Sequence, residues 1–333
     1  MARSSASRSG TARVALVGAT SVCGARLRGG LAALGVPGER VELYARTTDE
    51  AVLSEYAGEA RLIQEPPPDE IADHDVIFLC ESGRLADQVV RSARPDSVVI
   101  DLVGALPRNR RASLVHMDLN PPATTRHGGR LAIPHPMAIV LGEVLHPLEQ
   151  ELGLEQVVAV ILRPAADFGT AGIEELRDQT VRLLSFAPVP IATFGRQLAF
   201  NVIPQGSLDS GPDLEATISA HVAELLGWDQ PRLTLRQLAA PVFHGHGIQL
   251  HVRLRNGARI DRLREVVAGG RFYDPPHDDA PATPVEVSED YRISLAELCE
   301  DGLGGYWIWA VAGETDAKGA EQAIRLADAI CDL

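Results

Sequence analysis

Residues 131 to 140, LAIPHPMAIV, run from an apolar strand through a Pro-His-Pro kink into an apolar helix. A strand-to-helix elbow of this kind often presents a reactive side chain, because the backbone N–H groups at a helix start stabilise an anion. The residue at this elbow is Pro136, which carries no nucleophile. Proline is compatible with the first turn of a helix, where its missing N–H would be unpaired in any case. The sequence therefore predicts an elbow that keeps its fold without a reactive group.

A second stretch of chemical interest is GATSVCG, which lies between a short β-branched strand and a helix with apolar residues at helical spacing. A tight turn before a helix leaves backbone N–H groups facing a phosphate ligand, as in dinucleotide-binding folds. The candidates for this contact are Gly18, Thr20, Ser21, Val22 and Gly24. Dinucleotide folds more often carry three glycines, and the Ser21 side chain occupies the closest backbone approach. On the residues alone, a nucleotide site and a plain strand-to-helix turn remain equally open.

Further candidates for cofactor binding follow the next two apolar runs. Arg46 ends VELYAR, where a side chain that reads the adenosine ribose or its 2′-phosphate belongs, although a solvated surface arginine explains it equally well. Ser82 and Gly83 follow VIFLC and are assigned to the same site. Cys80, the last residue of that run, is better explained as a buried structural thiol than as a nucleophile.

The four cysteines are far apart in the sequence, and none forms a C-x-x-C pair or has a histidine at metal-ligand spacing. We therefore expect neither a disulfide framework nor a metal site.

The elements that must position these residues fall into two groups. The runs at 41 to 46, 76 to 80 and 97 to 101 are short, apolar and separated by helical or Pro-rich segments, which predicts a doubly wound α/β domain with a parallel sheet. From Leu154 onward, a helix at 173 to 185 and longer strands predict an α+β domain with a mostly antiparallel sheet.

Length and charge set the domain organisation and exclude some partners. A chain of 333 residues exceeds the usual size of one core. We expect a disordered leader over 1–11, one domain over 12–135 plus the C-terminal helix 314–333, and a second over 136–313. The net charge of -14 argues against nucleic acid. No apolar stretch is long enough to span a bilayer and no signal peptide is evident, so we expect a cytoplasmic protein without a membrane partner.

Several motifs together resemble the aspartate-semialdehyde dehydrogenases. VALVGAT, AGIEEL, FGRQLAFNVIPQ, the APVF and GH of APVFHGH, and KGAEQAI occur in the order and at the spacings of that family, over nearly the whole chain. The resemblance implies a Rossmann-type NAD(P) domain and a second domain for catalysis and homodimer formation. The family reaction converts an acyl phosphate to an aldehyde through a cysteine thioester that accepts hydride from NADPH, while a histidine moves protons.

When the functional residues of the family are aligned one by one with this sequence, the catalytic and substrate-binding residues are mostly replaced. The nucleophilic cysteine aligns with Pro136, the glutamine that orients the thioester with Arg163, and the substrate-carboxylate arginine with Ala239. His246 keeps the type of the proton-transfer residue. Without a thiolate to deprotonate, His246 is better explained as a hydrogen-bonded residue of the fold than as a working base.

Two functions of different classes follow. The favoured one is a catalytically disabled homodimer that resembles the cysteine-less aspartate-semialdehyde dehydrogenase-like (Usg-type) paralogues, with NADP or NAD and a small anionic ligand at Arg163 as partners. The alternative is an NAD(P)-dependent oxidoreductase that acts on a different aldehyde or acyl substrate within amino-acid biosynthesis. The related acyl-glutamyl-phosphate reductases are disfavoured, because they use the same cysteine nucleophile, which this chain lacks, and because the QLAFNVIPQ motif argues against them.

Overall fold

The computed structural model describes residues 11–46, 52–66, 68–106, 112–122, 128–204, 213–270, 273–274, 282–287, 293–313 and 315–333. The leader expected over 1–11 lies almost entirely outside these ranges. The chain divides into two compact units: unit 1 is Met1–His135 with Asp316–Leu333, and unit 2 is Pro136–Thr315. Within the described residues, no helix has the length and apolar character to cross a membrane.

Unit 1 contains a six-stranded parallel sheet. The strands of this unit are β1 (Val14–Val17), β2 (Val41–Tyr44), β3 (Val52–Tyr56), β4 (Glu59–Ile63), β5 (Val76–Leu79), β6 (Val98–Asp101), β7 (Ser113–Leu114) and β8 (Gly129–Ala132). The sheet order is β2-β1-β5-β6-β8-β7 with every neighbouring pair parallel, and β3 and β4 form a separate hairpin. Every residue of β1, β5 and β6 is buried, as continuous apolar strands of a parallel sheet require.

The helices of unit 1 are α1 (Val22–Leu34), α2 (Pro68–Ile71), α3 (Arg84–Ser92) and α8 (Thr315–Cys331). The C-terminal helix α8 is hydrogen-bonded to the loop after β7. Arg325 makes two hydrogen bonds to Asp118, at 2.7 and 3.0 Å, and Gln322 accepts the backbone N–H of Met117 at 2.9 Å. The last residues of the chain therefore contribute to the first unit.

Unit 2 is built on a seven-stranded mixed sheet. Its helices are α4 (Pro136–Leu152), α5 (Gly169–Leu184), α6 (Leu214–Leu225) and α7 (Ile260–Ala268). Its strands are β9 (Leu154–Arg163), β10 (Ile203–Pro204), β11 (Leu233–Ala239), β12 (His246–Leu254), β13 (Tyr273–Asp274), β14 (Ile293–Glu300) and β15 (Gly305–Ala312), in the order β10-β11-β9-β12-β15-β14-β13. Residues of α4, α6 and α7 pack on one face of this sheet to form its core.

The fold class predicted from the sequence is confirmed: a parallel doubly wound sheet and a second α+β unit. Four of the six strand pairs in unit 2 are antiparallel, while β9–β11 and β13–β14 are parallel. The helix predicted at 173 to 185 is α5, which begins earlier than predicted, at Gly169. The prediction began too late because the glycines in the first turn of α5 weaken the helical pattern in the sequence.

Candidate functional site

The glycine loop, residues 18–24, connects β1 to α1 and is held by Ser21. The Ser21 hydroxyl accepts the N–H of Gly24 at 3.0 Å as the N-cap of α1. The same hydroxyl is placed to donate to two carbonyl oxygens, that of Gly18 at 2.8 Å and that of Cys80 at 3.2 Å. The side chain that the sequence places at the closest approach to a ligand thus serves as a helix cap inside the loop.

Both glycines of this loop are required by its own packing. Gly18 has a φ of +88°, and a Cβ there would lie 2.7 Å from the carbonyl carbon of Cys80. A Cβ on Gly24 would lie 2.3 Å from the carbonyl oxygen of Gly18, which does not yield as a flexible side chain would. The glycine spacing is therefore explained by loop geometry, whether or not a ligand binds.

The loop nevertheless presents hydrogen-bond donors at a helix start. The N–H groups of Gly18 and Ala19 donate to the carbonyl of Tyr44. Within the described part of the chain, by contrast, no acceptor pairs with the N–H groups of Thr20, Val22 and Cys23. Because Thr20 and Val22 are exposed, these donors suit a phosphate group at the positive end of the α1 dipole.

Arg46, Ser82 and Gly83 lie at the carboxyl ends of strands on either side of β1. The Arg46 guanidinium reaches over Gly83, where a Cβ would be 3.6 Å from its Nη2 atom. Glu81, which sequence reasoning missed, lies beside Arg46. Burial raises the pKa of the Glu81 carboxyl, although the Arg46 charge acts in the opposite direction. The structure thus places a cation and an acid together where the sequence indicates a cation alone.

Pro136 lies at a helix start, as the sequence predicts. Helix α4 begins at Pro136, and the next residues, Met137 and Ala138, are buried in the core of the unit. The first turn carries no acidic residue. None of these three side chains can act as a covalent nucleophile.

Arg163 and His246 are brought together by a residue that the sequence analysis did not single out, Asp167. The Asp167 Oδ2 atom lies 3.0 Å from Arg163 Nε and 3.0 Å from His246 Nε2. Arg163 ends β9, His246 begins β12, and Asp167 lies between them on a 3-10 turn after Pro164. The side chains of Arg163, His246 and Asp167 are 9%, 5% and 24% exposed. We call these three residues the Asp167 cluster.

Asp167 is ionised and fixes the orientation of the imidazole. Burial by itself would raise the pKa of the Asp167 carboxyl, but His246 and Arg163 outweigh it and lower this pKa to about 2. A carboxylate only accepts hydrogen bonds, so His246 must carry a hydrogen on Nε2. In neutral His246 the lone pair is therefore on Nδ1, which is buried and has no hydrogen-bond partner within the described residues.

Ala239 is the register partner of Arg163 on the neighbouring parallel strand β11, and it is fully buried. The chain thus has no cation at Ala239 itself but has one on the next strand, about 5 Å away. Two residues before Ala239, Gln237 is buried as well, and its Nε2 atom is without an acceptor in the described part of the chain. A guanidinium and an amide therefore occur at this end of the sheet.

The two most recognisable motifs of unit 2 are joined by hydrogen bonds. Glu175, in AGIEEL, accepts the backbone N–H groups of Thr193 and Phe194. Gln179, one turn later on α5, accepts those of Leu198 and Ala199. The two side chains are buried and hold the segment that carries FGRQLAF, so each motif depends structurally on the other.

Comparisons with known proteins agree with this architecture. The family model described as semialdehyde dehydrogenase, NAD binding domain, matches residues 13–127. The model described as semialdehyde dehydrogenase, dimerisation domain, matches residues 145–296.

Similar sequences and structures extend over most of the chain. Aspartate-semialdehyde dehydrogenase 2 of Vibrio cholerae is 26% identical over 327 residues, 95% of this chain and 96% of that protein. A USG-1 protein homolog of Pseudomonas aeruginosa is 29% identical over 328 residues, with coverage of 95% and 96%. The crystal structure of aspartate semialdehyde dehydrogenase II from Vibrio cholerae complexed with ASA has a TM-score of 0.84 at 22% identity, with coverage of 97% and 98%. At this identity the structural likeness shows the fold.

Proposed function

Because the chain belongs to the semialdehyde dehydrogenase family, we propose that it is a nucleotide-binding homodimer that does not perform the thioester reaction of aspartate-semialdehyde dehydrogenases. The observation that carries this proposal is Pro136 at the start of α4, where the resemblance aligns the nucleophilic cysteine. The buried alanine at 239 removes the aligned substrate arginine too. Loss of a nucleophile and of a substrate-binding group together costs several powers of ten in rate, since such groups act as a unit.

The glycine loop supports retention of a nicotinamide dinucleotide. The N–H groups of Thr20, Val22 and Cys23 would hold the pyrophosphate, and Arg46 would hold a 2′-phosphate. When bound, such a cofactor supplies a hydride donor or acceptor. We propose NADP rather than NAD because of Arg46, although Glu81 beside it offers an acceptor for ribose hydroxyls.

The Asp167 cluster supports a small anionic ligand in unit 2. Arg163 supplies a guanidinium one strand from the position aligned with the substrate-carboxylate arginine, and a guanidinium recognises carboxylate and phosphate groups well. Asp167 already shares this charge, so the ligand has to compete with an internal carboxylate. We therefore propose a weakly held dicarboxylate or phosphate.

The homodimer is supported by several large apolar side chains that are exposed on unit 2. Val181 and Leu184 of α5 are exposed, Phe186 is 100% exposed, and Phe200 is 69% exposed. Large side chains in this number are unfavourable in water and favour a partner surface. Sedimentation at micromolar concentration tests the dimer, and a monomer would contradict it. The cytoplasmic location remains a prediction.

The decisive experiment measures binding and turnover on the same preparation. Cofactor fluorescence is followed while NADPH or NADH is titrated with the purified protein, and phosphate-dependent oxidation of aspartate semialdehyde is then assayed with NADP and NAD. We expect binding without turnover. Oxidation at an ordinary enzymatic rate, retained in Cys80→Ser, would show that this proposal is wrong.

Restoring the aligned groups tests the same proposal from the other side. Pro136→Cys alone should remain inactive, because the substrate still lacks the aligned arginine and the orienting amide. Pro136→Cys, Arg163→Gln and Ala239→Arg together form the smallest set expected to give detectable turnover. The matched control carries Pro136→Ala with the other two changes. Equal activity in the control would exclude a thioester.

One observation favours the alternative, an oxidoreductase for another aldehyde or acyl substrate. A histidine oriented by a carboxylate, with Nδ1 as its open acceptor atom, has the arrangement of a general base. Reduction of NADP by a panel of aldehydes, lost in His246→Gln with cofactor binding intact, would establish this function in place of the first.

A further inference from the structure

Two cysteines that are 57 residues apart in the sequence touch in unit 1. The Sγ atoms of Cys23 and Cys80 lie 2.9 Å apart, and both thiols are free. A disulfide bond has a length of about 2.05 Å, so the two sulfur atoms need to approach by roughly 0.9 Å. A small rotation of one side chain supplies a movement of that size.

The backbone around these thiols is already held close. Gly18 approaches the backbone of Cys80 so tightly that no Cβ fits, and the Ser21 hydroxyl donates to the Cys80 carbonyl at 3.2 Å. Cys23 is the second residue of α1, and Cys80 directly follows β5. The loop and the strand end are therefore held next to each other beside the two sulfur atoms.

The two thiols differ in accessibility. Cys23 is half-buried, so a small reagent reaches it, whereas Cys80 is buried. The contact with Cys23 and the burial of the side chain raise the pKa of the Cys80 thiol well above its ordinary value. Cys80 is thus protonated at neutral pH, and Cys23 is the residue that a reagent meets first because it is the more accessible thiol.

We propose that Cys23 and Cys80 are a redox modification site at which the two residues form a reversible disulfide with each other. The oxidant is a low-molecular-weight disulfide such as oxidised glutathione. The Cys23 thiolate attacks one sulfur of the reagent, forms a mixed disulfide and releases one reagent thiolate. Cys80 then loses its proton, attacks the Cys23 sulfur and displaces the second reagent thiolate. Two protein thiols are oxidised by two electrons in total, and one reagent disulfide is reduced to two thiols.

The disulfide ties the first turn of α1 to the end of β5, across the glycine loop. Because it closes a long segment of chain, it restricts the unfolded state and raises the temperature of unfolding, by about 5 °C for a unit of this size. This inference concerns the thiols alone and stands whether or not the loop binds a nucleotide.

The test uses the full chain equilibrated in glutathione buffers from reducing to oxidising, then acid-quenched and digested with trypsin. Cys23 lies in the peptide of residues 14–26 and Cys80 in that of residues 62–84. In oxidising buffer we expect these two peptides to be linked in most molecules and to separate again on addition of dithiothreitol. The temperature of unfolding should rise in the linked form.

Cys23→Ser should remove both the linked peptide and the temperature shift, and its partly exposed position makes it compatible with the fold. Cys299→Ser, at an exposed cysteine, is the matched control and should keep both. If residues 23 and 80 are instead found reduced or as separate glutathione adducts in oxidising buffer, the site does not exist. An unchanged unfolding temperature in the linked form would overturn the tie across the loop.

Discussion

The glycine loop of unit 1 and the Asp167 cluster of unit 2 are constrained in different ways. In the loop, the residues that suit a phosphate ligand are also residues that the backbone needs: Gly18 and Gly24 have no room for a side chain, and Ser21 caps the helix. In the cluster, Arg163 and His246 both contact the Asp167 carboxylate, so the charge of Asp167 determines how the two side chains are arranged.

This difference explains why one site still matches the resemblance and the other does not. A substitution of Gly18 or Gly24 disturbs the fold before it disturbs any ligand. Pro136, by contrast, is compatible with a helix start and Ala239 with a buried strand, so chemistry can be lost there at little cost to stability. A nucleotide-like loop is for that reason weaker evidence of activity than an intact catalytic set.

The largest effect that separates these two kinds of constraint is expected at Gly24. Gly24→Ala places a Cβ 2.3 Å from the Gly18 carbonyl oxygen, and should lower the free energy of unfolding by about 3 kcal/mol. Gly29→Ala is the matched control on the same helix, where a Cβ meets nothing within 4 Å, and should be stabilising by about 0.5 to 1 kcal/mol. Urea denaturation measures both. Similar values for the two variants would mean that the loop is less tightly packed than the structure indicates.

A slightly smaller effect is expected in the cluster. Asp167→Ala leaves Arg163 and His246 without their shared carboxylate, and should lower the free energy of unfolding by about 2 to 3 kcal/mol at neutral pH. Asp178→Ala is the control, since it breaks an exposed pair with Arg177 and should change stability by less than about 0.5 kcal/mol.

The pH dependence of that effect has a definite sign. The pKa of Asp167 is lowered from 3.8 to about 2 in the folded chain, so its contribution is present above the unfolded value and is lost as the pH falls through the folded one. The difference in stability between the parent and Asp167→Ala should therefore be fully present at about pH 5 and shrink toward about pH 2. A difference that grows as the pH falls from about 5 to about 2 would contradict the ion pairing.

The fold could be read from the sequence much further than the cluster could. Continuous apolar strands in unit 1 and the motifs held by Glu175 and Gln179 are local signals, and each has a direct structural cause. Asp167 could not be found in this way, because it lies on a turn outside any periodic pattern and meets His246 across 79 residues. The contact of Cys23 with Cys80 is likewise set by strand order, which spacing does not reveal.

A further prediction tests whether the loop still binds a nucleotide. Thr20→Asp adds a negative charge beside the N–H groups of Val22 and Cys23, at an exposed position where a side chain is already tolerated. We expect the dissociation constant for NADPH to rise about tenfold or more, because the anion competes with the pyrophosphate for the helix start. Thr20→Asn has a similar size without the charge and should bind almost normally. Equal affinities would leave the glycine loop as a plain turn.

The smallest effect concerns the choice between NADP and NAD. Arg46 and Glu81 lie together, and the negative charge of the carboxylate weakens the attraction between the guanidinium and any 2′-phosphate. Glu81→Gln should therefore strengthen NADPH binding about threefold and leave NADH binding nearly unchanged, since only NADPH carries that phosphate. Arg46→Ala is the opposing variant and should weaken NADPH selectively. If Glu81→Gln instead weakens NADH binding and leaves NADPH unaffected, Glu81 binds the ribose hydroxyls and NAD is the cofactor that this loop accepts. The two titrations with the two variants thus assign the cofactor from the direction of the changes, even where each change is small.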